Sequence, residues 1–310
     1  MRNQMIKMYT GLMFIAMLVG SPAFAQQEPM FTQYMFNGMA INPGYAGSHE
    51  TISITALARK QWTGLEGAPN TQTFTAHMPL KLNTAAGISF TRDEIGITTT
   101  NSISAAFAYK VPMGLGKLSF GLQAGMRFYR DNFSKLNPKD KTDDVYTNGD
   151  VSKTLPDFGA GVYYYSDRFF LGISVPHLIN QTIETADDAV SVSDMERHYV
   201  VYSGYVFDLS PSVKLKPHAL LKVVEGAPVQ MDINASVYLK EILGIGLSYR
   251  SLDSFAALLE LQATPAFRLG YSYDFATTTD LRTVQNGSHE IMLNYRFDLS
   301  KKIVLTPRYF

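Results

Sequence analysis

Residues 28–48 read EPMFTQYMFNGMAINPGYAGS. Their apolar side chains recur at roughly helical spacing, at Phe31, Tyr34, Met35, Phe36, Met39 and Ile41. Asn42-Pro43-Gly44 then ends the run, because proline fixes φ and glycine permits a positive φ. A segment this rich in aromatic groups would be a sticky tail in water. We therefore expect it to be buried against the part of the chain that follows.

The rest of the chain alternates between apolar and polar or small residues. In residues 266–276, for example, Arg268, Gly270 and Ser272 alternate with Leu269 and Tyr271. An alternation of about ten residues is typical of a strand that crosses a membrane. Fourteen runs carry this pattern: 50–61, 70–79, 84–92, 99–111, 117–129, 156–165, 168–177, 197–208, 213–223, 229–240, 242–251, 253–263, 266–276 and 288–299.

The connections between these runs indicate how the strands are arranged. No run is separated from the next by a helical stretch long enough for a crossover, which predicts an antiparallel meander. Tight connections (81–83, 112–116, 166–167, 209–212 and 264–265) alternate with looser ones, of which 130–155 and 178–196 are long. Short turns on one side and longer loops on the other are typical of outer-membrane barrels. An even strand count predicts both termini on the periplasmic side.

The predicted fold is therefore all-β: a transmembrane antiparallel β-barrel of about 14 strands with an N-terminal aromatic plug or cap segment. A soluble β-sandwich also alternates and remains the alternative fold. Two features favour the barrel. The polar faces are rich in Gly, Ala and Ser, which suits a crowded interior, and aromatic residues cluster near strand ends, as in 163–165 and 271–275.

Residues 1–25 have the pattern of a cleaved secretory signal. Arg2 and Lys7 precede an apolar stretch, residues 8–20, and Ala23-Phe24-Ala25 forms a cleavage site. The predicted organisation is a signal peptide over 1–25, a plug or cap segment over 26–49 and a barrel over 50–310. The chain has no cysteine, so neither disulfides nor a lipid-anchored cysteine at the cleavage point is expected.

Charge and composition exclude some partners but do not identify one. Cleavage would remove Arg2 and Lys7 and no acidic residue, leaving 25 basic against 27 acidic side chains. That balance argues against nucleic acid, which requires a basic surface. The mean hydropathy of −0.04 suits a soluble protein and a barrel equally well, because lipid-facing and lumen-facing residues alternate in a barrel.

The sequence carries no catalytic or metal motif, and we predict a non-enzymatic protein without a cofactor. The six histidines are scattered singly along the sequence, and no two are expected to share a close strand face. The acidic loop over residues 140–150 lacks the spacing of a calcium loop. Charges of both signs are predicted on inward faces, where they pair into a network more often than they catalyse. They are Arg127, Asp157, Arg168, Lys214, Lys216, Lys222, Asp232, Arg250, Glu260, Arg268, Asp274, Glu290, Arg296 and Asp298.

FTQYMFN-x3-INP-x-YAGS in residues 31–48 resembles the N-terminal signature of the PorP/SprF family of type IX secretion system outer-membrane proteins. The chain departs from that signature at Gly38, where the family usually has proline, and at Gly44, where it often has alanine. Residues 156–180, 288–300 and 307–310 are similar to the family's central hairpin, closing strand and usual ending.

This resemblance implies an outer-membrane component of type IX secretion that assists export or surface attachment of a protein such as a gliding adhesin. The implied partners are the outer-membrane lipid bilayer, the secreted cargo, a periplasmic peptidoglycan-binding protein and the secretion-motor ring. A passive or substrate-specific channel is the alternative, and the missing motifs disfavour a membrane-embedded hydrolase. The two long loops, 130–155 and 178–196, are candidate docking sites for the cargo.

The N-terminal segment is the predicted binding element, as plug or as partner surface. Because the first strand begins near Glu50, we expect the segment at the periplasmic mouth, either inserted into the lumen or capping it. We favour insertion, for which Gly159, Gly161 and Gly172 leave room. The residues assigned to this role are Phe31, Gln33, Tyr34, Phe36, Asn42, Pro43, Tyr45 and Gly47.

Overall fold

A computed structural model describes residues 28–135, 150–184, 191–251, 253–277 and 283–297. Outside these ranges lie the predicted signal peptide, the acidic loop except Asp150, Asp298, whose inward orientation is only a prediction, and the ending at 307–310. Among the described residues, no helix is long and apolar enough to cross a membrane.

The described chain consists almost entirely of strands. Four short 3-10 helices cover Tyr34–Phe36, Gly38–Ala40, Pro43–Tyr45 and Phe133–Lys135. The strands are β1 (Ile52–Lys60), β2 (Asn70–Pro79), β3 (Thr84–Ile95), β4 (Thr98–Met113), β5 (Gly116–Asp131), β6 (Val151–Tyr165), β7 (Phe169–Val175), β8 (Gln181–Glu184), β9 (Ser191–Met195), β10 (His198–Tyr205), β11 (Phe207–Ser210), β12 (Val213–Val224), β13 (Gln230–Leu239), β14 (Leu243–Arg250), β15 (Ser254–Gln262), β16 (Phe267–Ala276) and β17 (Ser288–Phe297).

The strands close into a barrel with fourteen antiparallel strand positions, here called staves. Neighbours in sequence pair from β1 to β7, β7 pairs with β10, and the meander continues to β17. Strand β17 pairs with β1 from Ile52 opposite Phe297 to Lys60 opposite His289, which closes the sheet. Strands β10 and β11 both pair with β12 and form one stave. The predicted barrel of about 14 strands is confirmed, and each of the fourteen predicted runs overlaps one stave.

Alternate residues of each strand face opposite environments. On β14 the outward side chain of Leu247 is 70% exposed, whereas the next residue, Ser248, is buried. The same alternation places Leu293 outside and Met292 and Asn294 inside. Exposed leucine, isoleucine and phenylalanine side chains recur around the sheet, and burying them in lipid is the arrangement expected of a membrane barrel.

The two ends of the barrel differ. At the short-turn end, where β1 begins and β17 ends, the connections 80–83, 114–115, 166–168, 211–212, 240–242 and 263–266 are tight. At the long-loop end the connections are more varied, and β3 and β4 are joined there by Gly96 and Ile97 alone.

The two predicted long loops contain strands that the sequence did not indicate. Strand β5 continues to Asp131 and β6 begins at Val151, so the first loop loses residues at both ends. The second, predicted at 178–196, contains a separate hairpin of β8 and β9. In both places hydrophobic alternation is weak and does not reveal a strand.

Candidate functional site: the barrel lumen

Residues 28–49, here the lumen segment, occupy the inside of the barrel. Residues 31–39 and 42–49 are buried. The segment's side chains and backbone contact inward-facing groups around the lumen, including Arg59 on β1, Ser174 on β7 and Asn234 on β13. The predicted continuous helical spacing resolves into three successive 3-10 turns.

A buried ion-pair cluster at the long-loop end binds the backbone of the segment. The Glu290 carboxylate accepts hydrogen bonds from the backbone N–H groups of Thr32, at 2.8 Å, and Gln33, at 2.7 Å. Arg59 lies between two carboxylates, 2.6 Å from Asp274 and 3.1 Å from Glu290. The hydroxyl of Thr32 donates to Asp274 at 2.8 Å. All five residues are buried, and the barrel charges bond to one another and to the segment, although Nε of Arg59 and Oε1 of Gln33 have no hydrogen-bond partner among the described residues.

The first described residue, Glu28, is held by basic groups near the same end. Its carboxylate accepts a hydrogen bond from Arg127 at 2.6 Å and lies 3.7 Å from Nε2 of His177. Burial opposes ionisation of Glu28, but attraction to Arg127, His177 and His198 outweighs it and holds the Glu28 pKa well below its usual range. A depressed pKa means that the contact stabilises the folded state above the ordinary pKa of glutamate and is lost only in strong acid.

The aromatic side chains of the segment are anchored by polar groups from the facing strands. Arg250 donates to the backbone carbonyl of Phe31 at 3.3 Å. The Asn234 amide donates to the hydroxyl of Tyr34 at 3.0 Å. Lys216 and Arg268 lie over the ring of Phe36 at 5.1 and 5.3 Å, at cation–π distance.

The Asn42-Pro43-Gly44 turn is bonded to the barrel wall at β6 and β7. The Asn42 side chain accepts from Gly44 N–H at 2.8 Å, capping the third turn. Its amide donates to the carbonyl of Val162 at 3.0 Å. The Ser174 hydroxyl donates to the carbonyl of Ile41 at 2.6 Å. One buried asparagine therefore fixes both the local bend and its position against the wall.

The C-terminal part of the lumen segment packs into an aromatic cluster at the short-turn end of the barrel. The ring of Tyr45 lies edge-on to His49 and His77, and the two imidazole rings are 5.0 Å apart. Gly47, whose φ is +69°, donates from its N–H to Nδ1 of His77 at 3.0 Å and accepts from Lys110 at 3.1 Å. The prediction that no two histidines share a strand face did not anticipate this contact, because His49 lies on the folded-in segment and not on a strand.

Inward glycines make room for the segment, though mostly not the predicted ones. A methyl group at Gly161 would overlap Asn42, but at Gly159 and Gly172 it would meet Gln123 and Tyr202 of the wall. Glycines that face the segment were missed: Gly87 lies against Met39, Gly121 against Pro43 and Gly44, and Gly270 against Gln33. Their signal in the sequence is a glycine at an inward position of an alternating strand.

The inward charges were mostly predicted correctly. Ten of the fourteen predicted side chains are buried: Arg127, Asp157, Lys216, Lys222, Asp232, Arg250, Glu260, Arg268, Asp274 and Glu290. Lys214 and Arg296 are half-buried. Arg168 is exposed, because it lies in a turn and pairs with Asp208. The important omission is Arg59, the fully buried cation of the cluster that binds Thr32.

The segment runs through the lumen from one end to the other. Glu28 contacts Arg127, near the long-loop end of β5, and Gly47 contacts His77, near the short-turn end of β2. The even strand count predicts both termini at one end, but the segment adds one more crossing. Within the described residues, Glu28 and Phe297 therefore lie at opposite ends of the barrel, and the segment does not merely sit at one mouth.

All eight residues assigned to the N-terminal element from the sequence lie in this lumen. Among the ranges that the structure covers, no three His, Asp or Glu side chains are grouped as metal ligands.

The chain matches the family described as type IX secretion system membrane protein PorP/SprF over residues 23–295. The protein belongs to the PorP/SprF family. The family resemblance of residues 31–48 is thereby confirmed. This PorP/SprF chain is an outer-membrane component of type IX secretion.

Solved barrels resemble this PorP/SprF chain with little sequence identity. The CymD monoaromatic hydrocarbon channel is 10% identical with a TM-score of 0.48, covering 90% of this chain and 95% of that one. The NanC porin is 11% identical with a TM-score of 0.39 (80% and 100% covered), and the KdgM porin is 8% identical with a TM-score of 0.38 (79% and 99% covered). No curated protein sequence matches this chain.

Proposed function

We propose that the lumen segment is a plug that keeps this barrel closed, and that the protein assists export or surface attachment of a secreted protein such as a gliding adhesin. The observation that carries the proposal is the bonded filling of the lumen by residues 31–49. A barrel for passive diffusion needs an open, polar path, and this lumen is packed with Phe31, Tyr34, Phe36 and Tyr45.

The closed state is favoured by two contributions of similar size. Burying an aromatic or large aliphatic side chain contributes roughly 1.5–3 kcal/mol, and the segment buries several. Withdrawing it would also break the hydrogen bonds that Glu290, Asp274 and Arg250 make to its backbone and hydroxyl groups, and hydrogen bonds to charged groups contribute about 1.5–3 kcal/mol each, net of exchange with water. Spontaneous opening is therefore rare, and a plugged resting state suits a secretion component that acts only with its partners.

The two ends of the barrel would contact different partners. We assign the short-turn end to the periplasm, since short turns face that side in outer-membrane barrels. That end would face the peptidoglycan-binding partner and the motor ring, and the long-loop end would meet the cargo outside the cell. We assign no catalysis to the protein: the buried carboxylates are engaged by Arg59, Arg127 and Arg250, as in a structural network.

Conductance and secretion together test this function. Replacing Phe31 and Tyr34 with alanine removes two anchors of the plug, and we expect measurable conductance in planar bilayers and loss of cargo secretion. The matched control replaces Phe120 and Phe128, two outward aromatic residues of β5, with alanine. The control should stay closed and secrete. A native protein that conducts steadily would favour the channel, and a double variant that secretes normally and stays closed contradicts the plug.

A further inference from the structure

The direction in which the lumen segment crosses the barrel determines where the chain begins. Near its start, the segment contacts residues at the long-loop ends of their strands: Arg127 of β5, Lys222 of β12 and Arg250, the last residue of β14. Near its finish it contacts His77 and Lys110, close to the short-turn ends of β2 and β4. It then enters β1 at the short-turn end.

We infer that the mature N-terminus of this protein lies at the cell surface, held there by the carboxylate of Glu28. The inference rests on the assignment of the short-turn end to the periplasm under the proposed function, and on the predicted cleavage after Ala25. Two residues then precede Glu28, and two extended residues span at most about 7 Å. The apolar band of a barrel is about 25 Å tall, so they cannot return to the periplasmic side.

Within the part of the chain that the structure describes, the lumen offers these residues no return path. From Thr32 onward, it is filled by the segment and its bonded partners, and the inward glycines Gly87, Gly121 and Gly270 already lie against the segment. The start of the segment is also positioned: Glu28 is hydrogen-bonded to Arg127, which is buried. Nδ1 of His177 lies 2.7 Å from Arg127 and 2.8 Å from Asp157, and it can accept from the first or donate to the second but not both. Side chains from β5, β6 and the loop after β7 thus surround Glu28.

This topology has a consequence for assembly and for function. The N-terminal residues must pass to the outer side as the strands close around them, because the segment is bonded to both β1 and β17, whose pairing closes the barrel. A short peptide end beside the long loops is then available to a secreted protein that stays at the surface. Glu28 acts as a latch for that end, since it is the first residue that the structure describes and Arg127 of the barrel binds it.

Single cysteines test the topology cleanly, because the chain has none of its own. Gln27→Cys reports the start of the mature chain, and a cysteine inserted between Gln26 and Gln27 is the second choice if the first fails to assemble. Val284→Cys, 54% exposed, reports the long-loop end, and Leu82→Cys, 89% exposed, the short-turn end. Each variant is treated with a membrane-impermeant maleimide on intact cells and again after the outer membrane has been permeabilised.

We expect Gln27→Cys and Val284→Cys to react on intact cells and Leu82→Cys only after permeabilisation. If Val284→Cys reacts on intact cells while both N-terminal cysteines do not, the inference is overturned and the plug is unaffected. If only Leu82→Cys reacts, the barrel has the opposite orientation, which overturns both the inference and the assignment of partners to its ends.

A spin label at Gln27→Cys tests the latch separately. With Glu28→Gln added, the label should become more mobile, because the charged contact with Arg127 is lost. With Glu94→Gln added, it should not change, since Glu94 pairs with Arg92 on the outside of β3. Equal label mobility in the two variants would show that Glu28 does not hold the N-terminal end in place.

Discussion

At the scale of single residues, the most consequential side chain is Arg59, which no motif marks. Its guanidinium neutralises Asp274 and Glu290 and also donates to the hydroxyl of Thr32. Without it, two buried carboxylates would face each other with only neutral donors between them. The same cation thus holds β1 to β16 and β17 and holds the lumen segment to all three.

Replacing Arg59 with methionine should strongly destabilise the barrel. Breaking a buried ion pair by removing one partner costs about 3–5 kcal/mol, and here two pairs share one partner. The matched control is Arg92→Met, which breaks the exposed pair with Glu94, and exposed pairs contribute about 0–1 kcal/mol. The temperature at which the folded form is lost on a semi-native gel measures both. Similar losses in the two variants would show that the Arg59 cluster is not a stabilising centre.

At the scale of elements, inward glycines on the strands allow the lumen segment to pack closely against the barrel wall. Gly121 on β5 faces the backbone of Pro43 and Gly44, and an added methyl group there would overlap both. Because that neighbour is backbone in a capped turn and not the end of a flexible side chain, the wall or the segment has to shift.

Gly121→Ala should therefore loosen the plug. Overpacking typically costs about 1–3 kcal/mol, which is comparable to one anchor of the segment, so we expect more frequent channel openings. Gly246→Ala is the control: Gly246 also points inward, but its methyl group would meet chiefly the Ser236 hydroxyl, which can rotate away. Planar-bilayer recordings compare the opening frequencies. Equal frequencies in both variants would mean that the contact of Gly121 with the turn does not hold the segment.

The elements also show what the sequence could predict. Strand positions followed from the alternation of side chains, because one face must meet lipid and the other the lumen, and each predicted run overlaps a stave. The hairpin of β8 and β9 was missed, because its strands have only four and five residues and lie beyond the membrane, where no alternation is enforced. The side of the inward charges was predicted, but the grouping of Arg59 with Asp274 and Glu290 depends on register between strands that are far apart in sequence.

The direction of the lumen segment could not be predicted for a similar reason. The aromatic spacing of Phe31, Tyr34 and Phe36 indicated burial, and Asn42-Pro43-Gly44 indicated a bend, but neither specifies the end from which the segment enters. That depends on long-range partners such as Glu290 for Thr32 and His77 for Gly47. Strand parity accounts for Ile52 and Phe297 at one end of the barrel, but it does not count the crossing that the segment adds.

At the scale of the whole molecule, the barrel is a polar interior inside an apolar band. The interior is filled by the lumen segment and its ion pairs, while leucine, isoleucine and phenylalanine side chains cover the outside. In a soluble protein such a continuous outer surface would be an aggregation site. In an outer membrane it is the surface that lipid covers, and the whole fold therefore depends on the bilayer.

Placing arginine in that band tests the lipid-facing assignment. Leu247, in the middle of β14, is 70% exposed on the outside. Arginine at the bilayer midplane costs about 2–4 kcal/mol, so Leu247→Arg should lower the fraction of protein that assembles in the outer membrane. Leu115→Arg is the control, because Leu115 is 97% exposed in the tight turn between β4 and β5, where a guanidinium stays hydrated.

The folded fraction of each variant in isolated outer membranes is the measurement. We expect normal assembly for Leu115→Arg and a several-fold loss for Leu247→Arg, together with degradation of the unassembled chains. The opposite outcome, in which Leu247→Arg assembles normally and is soluble without detergent, would mean that the outer surface faces water. The soluble sandwich considered from the sequence predicts that outcome, since a charge on an exposed apolar surface improves solubility there and costs nothing in lipid.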